Sequence, residues 1–318
     1  MNGSRVVALG HYQPARILTN DDLAGMVDTS DEWIRSRVGI RTRHVARPDE
    51  TVDEMAAAAA GKALAHSGLN TTDIDLVIVA TSTALDRSPN MAARVAARLG
   101  LRSPAAMDLN VVCAGFTHAL ATADHALRAG AARRALVVGA DKFTEAADWT
   151  DRSTCVLLGD GAGAAVVVAT DGEGPERPPG IGPVVWGSVP EMGHAVRIEG
   201  TPPRFAQEGQ AVYRWATTQL PPITRQVCER AGVTPEDLGA VVLHQANLRI
   251  IEPVARKLGA VNAVVARDVV ESGNTSAASI PLALSKLVER GEVASGAYAL
   301  LFGFGGNLSY AGQVIRCP

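Results

Sequence analysis

The sequence predicts a layered α/β fold built from two similar halves. Segments such as "LVIVAT", "ALVVGA", "AVVLH" and "YALLFGF" are continuous apolar runs of strand length, and stretches with helical spacing separate them. Strands that are apolar on both faces are typical of sheets covered by helices on both sides. The second observation is an internal repeat, because the same order of helix, turn and strand occurs twice along the 318 residues.

Three pairs of segments make the repeat visible. "KALAHSGLNTTDIDLVIVATS" is similar to "RQVCERAGVTPEDLGAVVLHQ", and Gly68 and Gly232 occupy the position that follows each helix. "VAARLG" is similar to "VARKLG", and "LRAGAARRALVVGAD" to "VERGEVASGAYALLFGFG". We therefore predict two units, residues 1–172 and residues 173–318, related by a pseudo-twofold axis.

One cysteine stands at a position that suits a nucleophile. In "DLNVVCAGFTHALATADHALRAG", Cys113 lies between a strand-like stretch and a predicted helix. Most isolated cysteines are small buried hydrophobes, but a helix N-terminus lowers the pKa of a thiol and activates it. Counting back from the shared "RAG" and "ERG", Cys113 falls opposite Asn274, while His244 falls opposite Ala80. If the halves pack about a twofold axis, Cys113, His244 and Asn274 share one pocket.

These three side chains form a set suited to acyl chemistry. A thiolate is the nucleophile, an imidazole helps to ionise it or donates a hydrogen bond, and an amide donates to a developing oxyanion without changing charge. Taken singly, His244 is more often a core or surface histidine, and Asn274 more often a helix N-cap. Their coincidence with Cys113 in the repeat favours the catalytic interpretation.

Two glycine-rich segments receive different interpretations. "GDGAGAAVVVAT", which begins at Gly159, superficially resembles a phosphate loop, but a strand-like run follows it and no Lys-Ser/Thr pair is present. We interpret it as a structural turn. "LLFGFGGNLSYAG" follows a strand, and Gly305 and Gly306 allow the backbone to approach a ligand closely. A backbone N–H of this segment is a candidate for an oxyanion hole.

The composition excludes several classes of protein. With 47% hydrophobic residues and no apolar run of roughly 18 residues, the chain is predicted to be a globular protein rather than a membrane protein. The N-terminal residues lack the features of a secretory signal, so we expect a cytoplasmic location. Four scattered cysteines predict neither a disulfide framework nor a metal site. A net charge of −3 gives no general attraction to nucleic acid.

Five motifs together resemble one family. "DTSDEWIRSRVGIRTRH", "CAGF", "DRSTCVLLGDGAGAAVV", "HQANLRII" and "GNTSAAS" each resemble a signature of 3-oxoacyl-[acyl-carrier-protein] synthase III, of the thiolase superfamily, and their order and spacing agree with it. The resemblance implies a thiolase-like αβαβα fold, with Cys113, His244 and Asn274 as the catalytic set. It also implies an oxyanion hole formed by the N–H groups of Cys113 and Gly306. No cofactor or metal is implied.

The resemblance also implies the reaction and its partners. An acyl group moves from acyl-CoA to Cys113 and is then joined to malonyl-acyl carrier protein with loss of carbon dioxide, as a first step of fatty acid or polyketide synthesis. A homodimer is implied. The residues implied to hold coenzyme A or the carrier protein are Trp33, Arg37, Arg152, Asn247 and Arg249. The resemblance implies that Trp33 stacks on the adenine of coenzyme A with Arg152 on the other side, and that Arg37 and Arg249 help to hold phosphates or the carrier protein.

Three departures from the family pattern concern the acyl pocket. Ser88 precedes a proline where the family commonly has a large apolar residue, the segment 186–209 looks shorter than its counterpart, and Asn307 stands where a glycine is frequent. We expect Ser88 and Phe304 to line this pocket. With Ser88 there and the segment 186–209 shortened, the pocket should be wider or more polar than one built for acetyl groups.

Two alternatives remain open. An acyltransferase of the same fold would pass the acyl group from Cys113 to a hydroxyl or an amine. Asn274 argues against it, because an enolate-stabilising amide is needed chiefly for decarboxylation. A non-catalytic subunit that only binds carrier protein is the other alternative, and the joint presence of Cys113, His244 and Asn274 disfavours it.

Overall fold

The computed structural model describes residues 3–86, 88–171 and 180–318. The strands of the first half are β1 (Gly3–Tyr12), β2 (Ile17–Thr19), β3 (Thr42–His44), β4 (Leu76–Ala80), β5 (Ala105–Leu109), β6 (Arg134–Lys142) and β7 (Asp160–Thr170). The helices of the first half are α1 (Asn20–Ala24), α2 (Asp31–Arg37), α3 (Val52–Ser67), α4 (Met91–Leu99) and α5 (Gly115–Arg128).

The second half has the same kinds of element. Its strands are β8 (Val185–Gly187), β9 (Val196–Glu199), β10 (Arg204–Gln207), β11 (Leu238–Leu243), β12 (Val264–Val265), β13 (Tyr298–Phe304) and β14 (Tyr310–Arg316). Its helices are α6 (Gly209–Ala231), α7 (Leu248–Leu258), α8 (Val269–Ser272) and α9 (Ser279–Glu289).

Each half contributes one five-stranded sheet, and the two sheets have the same plan. The first has the strand order β1-β7-β6-β4-β5, and the second has the order β8-β14-β13-β11-β12. In the first sheet β5, β4 and β6 are parallel, whereas β7 and β1 are antiparallel to their neighbours. The second sheet repeats this arrangement with β12, β11 and β13 parallel and β14 and β8 antiparallel. The predicted duplication is therefore present in the topology.

The duplication extends to single residues. Gly68 ends α3 and Gly232 ends α6 in the left-handed conformation, with φ of 69° and 72°. Each glycine is followed by a short 3₁₀ turn, Thr71–Asp73 or Pro235–Asp237, and then by β4 or β11. Residue numbers in these two segments differ by 164 (232 minus 68). Glycine is suited to both helix ends because it alone adopts positive φ at little cost.

The helices form three layers around the two sheets. Helices α5 and α9 lie between the sheets, since α5 contacts β4, β6, β13 and β14 while α9 contacts β1, β7, β11 and β13. Helices α3 and α4 cover the outer side of the first sheet, and α6, with α7 packed against it, covers the second. The result is the αβαβα order, and the predicted fold class is confirmed.

The segment "GDGAGAAVVVAT" is part of strand β7, so its interpretation as a turn is wrong. A Cβ built on Gly163 would lie 2.5 Å from the backbone nitrogen of Leu282, and one on Gly161 would lie 2.9 Å from the Leu282 side chain. The glycines therefore serve close packing of α9 on β7. Sequence alone did not show this, because the contact joins residues that are far apart in the chain.

The predicted boundary between residues 172 and 173 falls outside the described residues. Within the described parts of the chain, no helix combines the length and the apolar character needed to cross a membrane.

Candidate active site

A cavity of about 640 Å³ brings together side chains from both halves of the chain. Cys113 reaches it from the first half, and His244 and Asn274 reach it from the second. All three residues are buried, with 4%, 2% and 5% of their surface exposed. The structure thus places the three predicted catalytic side chains in one enclosed space.

Cys113 lies in a strained turn immediately before α5. The 3₁₀ turn Val112–Ala114 carries it, and Val112 has a φ of 47°. Positive φ is rare for β-branched residues and costs energy that the surrounding packing must offset. Helix α5 begins at Gly115, where a Cβ would lie 2.9 Å from the Cβ of Ala80. The small residue lets the turn approach strand β4 and presents the sulfur to the cavity.

The loop after β13 encloses the sulfur. A Cβ on Gly305 would lie 2.5 Å from the Cβ of Cys113 and 2.9 Å from its Sγ, so only glycine fits there. The backbone N–H of Gly306 donates toward the same sulfur, as does the N–H of Cys113 itself. Asn307 has a φ of 57°, a left-handed conformation that asparagine tolerates better than most side chains. This explains why asparagine can stand in place of the glycine that is frequent in the family.

The pKa of the Cys113 thiol is higher than the sequence predicts. Burial raises the pKa of its thiol to about 12, and the buried carboxylate of Asp141 acts in the same direction. The Ser276 hydroxyl, which lies beside the sulfur outside ideal hydrogen-bond geometry, and the N–H of Gly306 act to lower this pKa. The predicted low pKa is therefore wrong for the unliganded protein. Removal of water from the sulfur outweighs the neighbouring donors.

His244 is fixed at the end of strand β11. Its backbone N–H donates to the carbonyl of Phe302 at 2.9 Å, which continues the pairing of β11 with β13. Its Nδ1 lies 2.7 Å from the hydroxyl of Ser279, and its ring meets Phe304 edge-on with 5.4 Å between ring centres. Burial lowers the pKa of His244 to about 3, so the imidazole is neutral at physiological pH.

Asn274 is held by both its backbone and its side chain. Its N–H donates to the carbonyl of Leu157 at 2.7 Å, and its carbonyl accepts from Gly159 at 3.0 Å. Its Oδ1 accepts from the backbone N–H of Ser276 at 2.9 Å. Since the amide oxygen is engaged, the Nδ2 group remains as a donor for a molecule in the cavity.

The repeat pairs Cys113 with Ala277, not with Asn274. Val112 and Ser276 each open a 3₁₀ turn with positive φ, 47° and 50°, and their numbers also differ by 164 (276 minus 112). The predicted pairing is wrong by three positions. The shift arises because the helices that follow the two turns differ in length, with 14 residues in α5 and 11 in α9.

Cationic and aromatic side chains surround the mouth of the cavity. Four of the five residues predicted to bind coenzyme A or the carrier protein line it, namely Trp33, Arg37, Asn247 and Arg249. The fifth, Arg152, lies over the Trp33 ring at 5.3 Å and donates to the carboxylate of Asp28 at 3.1 Å. Tyr213 and Arg214, which follow the start of α6, also line the cavity and were not predicted from the sequence.

A buried arginine binds the segment of chain that pairs with Asn274. Arg43 has no exposed surface, and its guanidinium donates to the carbonyl of Val156 at 2.7 Å and to Oδ1 of Asn20 at 2.8 Å. Burial lowers its pKa to about 10. Arg43 thereby fixes the segment that pairs with Asn274. No local sequence signal indicates this burial, because an arginine in a polar stretch is usually exposed.

The acyl pocket residues have different positions. Phe304 lines the cavity, whereas Ser88 is exposed and does not line the cavity of its own chain. The apolar side chains on the cavity wall include Leu157, Val196, Phe205 and Val212. The expectation of a wider or more polar pocket rested on Ser88 and on the segment 186–209. Ser88 gives it no support within the single chain, whereas Val196 and Phe205 of that segment line the cavity.

The duplicated five-layer fold and this site define a class of protein. A cysteine with two N–H groups beside its sulfur, next to a neutral imidazole and an amide donor, is the equipment of a thiolase-fold condensing enzyme. The described residues contain no group of three or more His, Cys, Asp or Glu side chains arranged to hold a metal ion.

Comparison with known proteins identifies the family. A model described as 3-oxoacyl-[acyl-carrier-protein] synthase III matches residues 107–186, and one described as the C-terminal part of that enzyme matches residues 228–317. β-Ketoacyl-[acyl-carrier-protein] synthase III 2 of Streptomyces avermitilis is 80% identical over 318 residues, which is all of both chains. β-Ketoacyl-[acyl-carrier-protein] synthase III 4 of Streptomyces coelicolor is 79% identical and 99% of each chain is covered.

Comparison with solved structures supports the same family assignment. The priming β-ketosynthase of the R1128 polyketide pathway superimposes with a TM-score of 0.95 at 41% identity, covering 100% of this chain and 97% of that one. 3-Oxoacyl-[acyl-carrier-protein] synthase III of Aquifex aeolicus gives 0.93 at 38% identity, covering 99% and 100%. The chain belongs to the 3-oxoacyl-[acyl-carrier-protein] synthase III family, and the resemblance inferred from the motifs is confirmed.

Proposed function

We propose that this enzyme loads an acyl group from acyl-CoA onto Cys113 and condenses it with malonyl-acyl carrier protein. The products are 3-oxoacyl-acyl carrier protein, coenzyme A and carbon dioxide. The observation that carries the proposal is the pair of neutral donors, His244 and Asn274, that line the cavity beside Cys113. In each, one polar atom is already bound within the protein, so the other is available to substrate.

In the first half-reaction, Sγ of Cys113 attacks the thioester carbonyl. The N–H groups of Cys113 and Gly306 then stabilise the oxyanion of the tetrahedral intermediate. The C–S bond to coenzyme A breaks, and the thiol proton passes by way of His244 to the departing sulfur. Because burial keeps the free thiol protonated, with a pKa near 12, ionisation belongs to the complex with acyl-CoA rather than to the resting enzyme.

In the second half-reaction, the malonyl group loses carbon dioxide. The electron pair of the broken C–C bond moves onto the thioester oxygen, where His244 and Asn274 donate hydrogen bonds to the enolate. The enolate carbon attacks the acyl group on Cys113 and expels the thiolate, which is then protonated. Two neutral donors suit this step, since they stabilise the new charge without the desolvation cost of a buried cation.

The mouth of the cavity suits an anionic substrate. Arg37, Arg214 and Arg249 offer forked donors for phosphate, and the Trp33 face offers a stacking surface. Arg152 lies over that face, 5.3 Å from the ring centre. An adenine ring that stacks on Trp33 must therefore move the Arg152 guanidinium, and the exposed pair with Asp28 is weak enough to allow this.

Intact-mass analysis tests the proposal. The protein is incubated with a panel of acyl-CoAs and then with malonyl-acyl carrier protein. We expect a mass increase equal to the acyl group, and its disappearance as 3-oxoacyl-acyl carrier protein forms. Transfer of the acyl group to a hydroxyl or amine acceptor with no loss of carbon dioxide would contradict condensation and favour the alternative acyltransferase.

We propose initiation in a specialised polyketide or lipid pathway as the role of this enzyme. The chain is 79% identical to synthase III 4 of Streptomyces coelicolor but only 40% identical to synthase III 1 of the same organism. A relative of 41% identity is a priming β-ketosynthase of a polyketide pathway. Streptomyces coelicolor therefore has two divergent synthases of this class. The much higher identity of this chain to one of them supports a role separate from general fatty acid synthesis.

We further propose that two copies form a homodimer in the cytoplasm through strand β5. This strand is at the edge of its sheet, and Met107 on it and Leu85 on the adjoining loop have 40% and 71% of their surface exposed. In such a dimer, the exposed Ser88 would have a route to the acyl group of the partner copy. The four cysteines are buried free thiols, which supports a reducing compartment.

A further inference from the structure

Two serines of helix α9 bind histidines of other elements in the same way. Ser279 Oγ lies 2.7 Å from Nδ1 of His244, and Ser285 Oγ lies 2.9 Å from Nδ1 of His11. Ser279 stands at the first position of α9 and has 1% of its surface exposed. Only the first pair touches the catalytic cavity, where His244 is on the wall. No role in the reaction has yet been given to Ser279.

The hydrogen bonds around Ser279 determine which nitrogen of His244 carries the proton. The backbone N–H of Gln245 donates to Ser279 Oγ at 3.3 Å, so the oxygen already accepts one hydrogen bond. If Nδ1 of His244 also donated to this oxygen, the hydroxyl proton would lack an acceptor among the described residues. A buried donor without a partner costs about 1–3 kcal/mol. The arrangement that uses every donor has the Ser279 hydroxyl donating to Nδ1.

With Nδ1 as acceptor, the proton of the neutral imidazole is on Nε2. This is the form that can donate to the thioester oxygen of a malonyl group, together with the Asn274 amide. The ring is also held in orientation, because Nδ1 is tied to α9 and the ring packs edge-on against Phe304.

We propose that Ser279 is a positioning residue that holds His244 as the Nε2–H tautomer for the decarboxylation step. The inference rests on the proposed function, since it concerns how His244 acts in it. Ser279 does not touch substrate and acts through the imidazole. Acyl loading depends less on this tautomer, because Nε2 must accept the thiol proton there. The imidazole then uses its other neutral form, in which Nδ1–H donates to the Ser279 oxygen, and Nε2 passes the proton on to the departing sulfur.

The experiment compares three variants. Ser279→Ala removes the hydroxyl, Ser279→Thr keeps it, and Ser285→Ala makes the same chemical change on the same helix at the pair that lies outside the cavity. Acyl loading from acyl-CoA and decarboxylation of malonyl-acyl carrier protein are measured separately, and ¹⁵N NMR of labelled histidine reports the tautomer of His244 in the wild type and in each variant.

We expect Ser279→Ala to lower kcat for decarboxylation about tenfold, with KM and the loading rate changed less than threefold. Ser279→Thr should recover most of the loss, and Ser285→Ala should match the wild type. In the wild type, Nδ1 of His244 should be unprotonated and hydrogen-bonded, and Ser279→Ala should shift its resonance.

Three results would each overturn the inference: a wild-type His244 protonated on Nδ1, decarboxylation in Ser279→Ala within twofold of the wild type, or an equal loss in Ser285→Ala. The NMR result stands even where a variant fails to fold. If wild-type protein does not decarboxylate malonyl-acyl carrier protein at all, the proposed function fails, whereas the tautomer measurement still decides the placement of the proton.

Discussion

The two halves of the chain have one architecture but supply different chemistry. In the repeat, Cys113 of the first half corresponds to Ala277 of the second, and His244 of the second corresponds to Ala80 of the first. The strand ends and 3₁₀ turns are equivalent, and the side chains at them are not. The backbone positions are therefore duplicated about the axis, whereas the predicted nucleophile lies only in the 3₁₀ turn of the first half and the predicted catalytic histidine only at the strand end of the second.

The unreactive counterparts have a structural task. A Cβ on Gly115 would lie 2.9 Å from the Cβ of Ala80 and 3.3 Å from the Cβ of Ala277. Larger residues at either alanine would separate the two turns that approach each other at the axis. The site therefore requires small residues at the positions equivalent to Cys113 and His244, so symmetric packing of the two halves accommodates different side chains at equivalent positions.

The largest expected effect is loss of the nucleophile. Cys113→Ala should abolish acyl loading, because no other side chain of the cavity wall can form the thioester. Cys228→Ala, which alters a buried cysteine on α6, is the matched control and should load at close to the wild-type rate. Intact mass after incubation with acyl-CoA measures both. Label on Cys155, Cys228 or Cys317 in the wild type would refute the assignment.

The second prediction concerns the pH dependence of Cys113 in the unliganded protein. Burial raises the pKa of the thiol to about 12, so the reactive thiolate increases with pH throughout the accessible range. Alkylation by iodoacetamide should therefore accelerate about tenfold per pH unit between pH 7 and pH 10. Mass spectrometry of the labelled Cys113 peptide gives the rate, with Cys113→Ala as background. An alkylation rate that reaches a plateau near pH 7 would contradict this and would show the low thiol pKa that the helix N-terminus alone predicts.

The third prediction compares two asparagines at equivalent positions of the two halves. Asn274 corresponds to the exposed Asn110 of the first half, at the same difference of 164 positions. Asn274→Ala should lower malonyl decarboxylation by about 10²-fold or more, as expected for removal of an oxyanion donor, and should still form acyl-Cys113. Asn110→Ala should leave decarboxylation within about threefold of the wild type. Equal loss of loading and decarboxylation in Asn274→Ala would contradict the division of roles.

Local signals in the sequence were sufficient to predict the fold and to predict that Cys113, His244 and Asn274 share one cavity. Both halves have the same short-range pattern, in which a helix-ending glycine, Gly68 or Gly232, precedes an apolar strand. Short-range patterns of this kind can be recognised in one sequence without knowledge of tertiary contacts. The register between Cys113 and Asn274 was not predictable by counting, because α5 and α9 differ by three residues. Helix length depends on what each helix packs against.

Properties that arise from tertiary packing were not predictable. The raised pKa of Cys113 depends on how completely the cavity excludes water, and the burial of Arg43 depends on carbonyl groups more than 20 residues away in the chain. The contact of Ser279 with His244 joins residues 35 positions apart. Each residue type is ordinary in its local sequence, so only the folded arrangement reveals its role.

The smallest expected effect concerns the acyl group and the antiparallel hairpin β9–β10 of the second half. Phe205 on β10 lines the cavity and packs edge-on against Phe143 with 5.0 Å between ring centres. Phe205→Ala should enlarge the cavity, and kcat/KM for loading of longer or branched acyl-CoAs should rise up to about tenfold relative to acetyl-CoA. One methylene in an apolar pocket is worth only about 1–3 kcal/mol, so the preference broadens before it inverts.

Ile198→Ala is the matched control for this prediction. Ile198 lies directly opposite Phe205 in the hairpin but does not line the cavity, so its truncation loosens the same hairpin without widening the space for an acyl chain. Both variants are assayed with an acyl-CoA series of increasing length. Equal broadening in both would show that hairpin mobility, rather than the Phe205 ring, selects the acyl group. An unchanged preference in Phe205→Ala would place selection elsewhere, with Ser88 of a partner copy as the next residue to substitute.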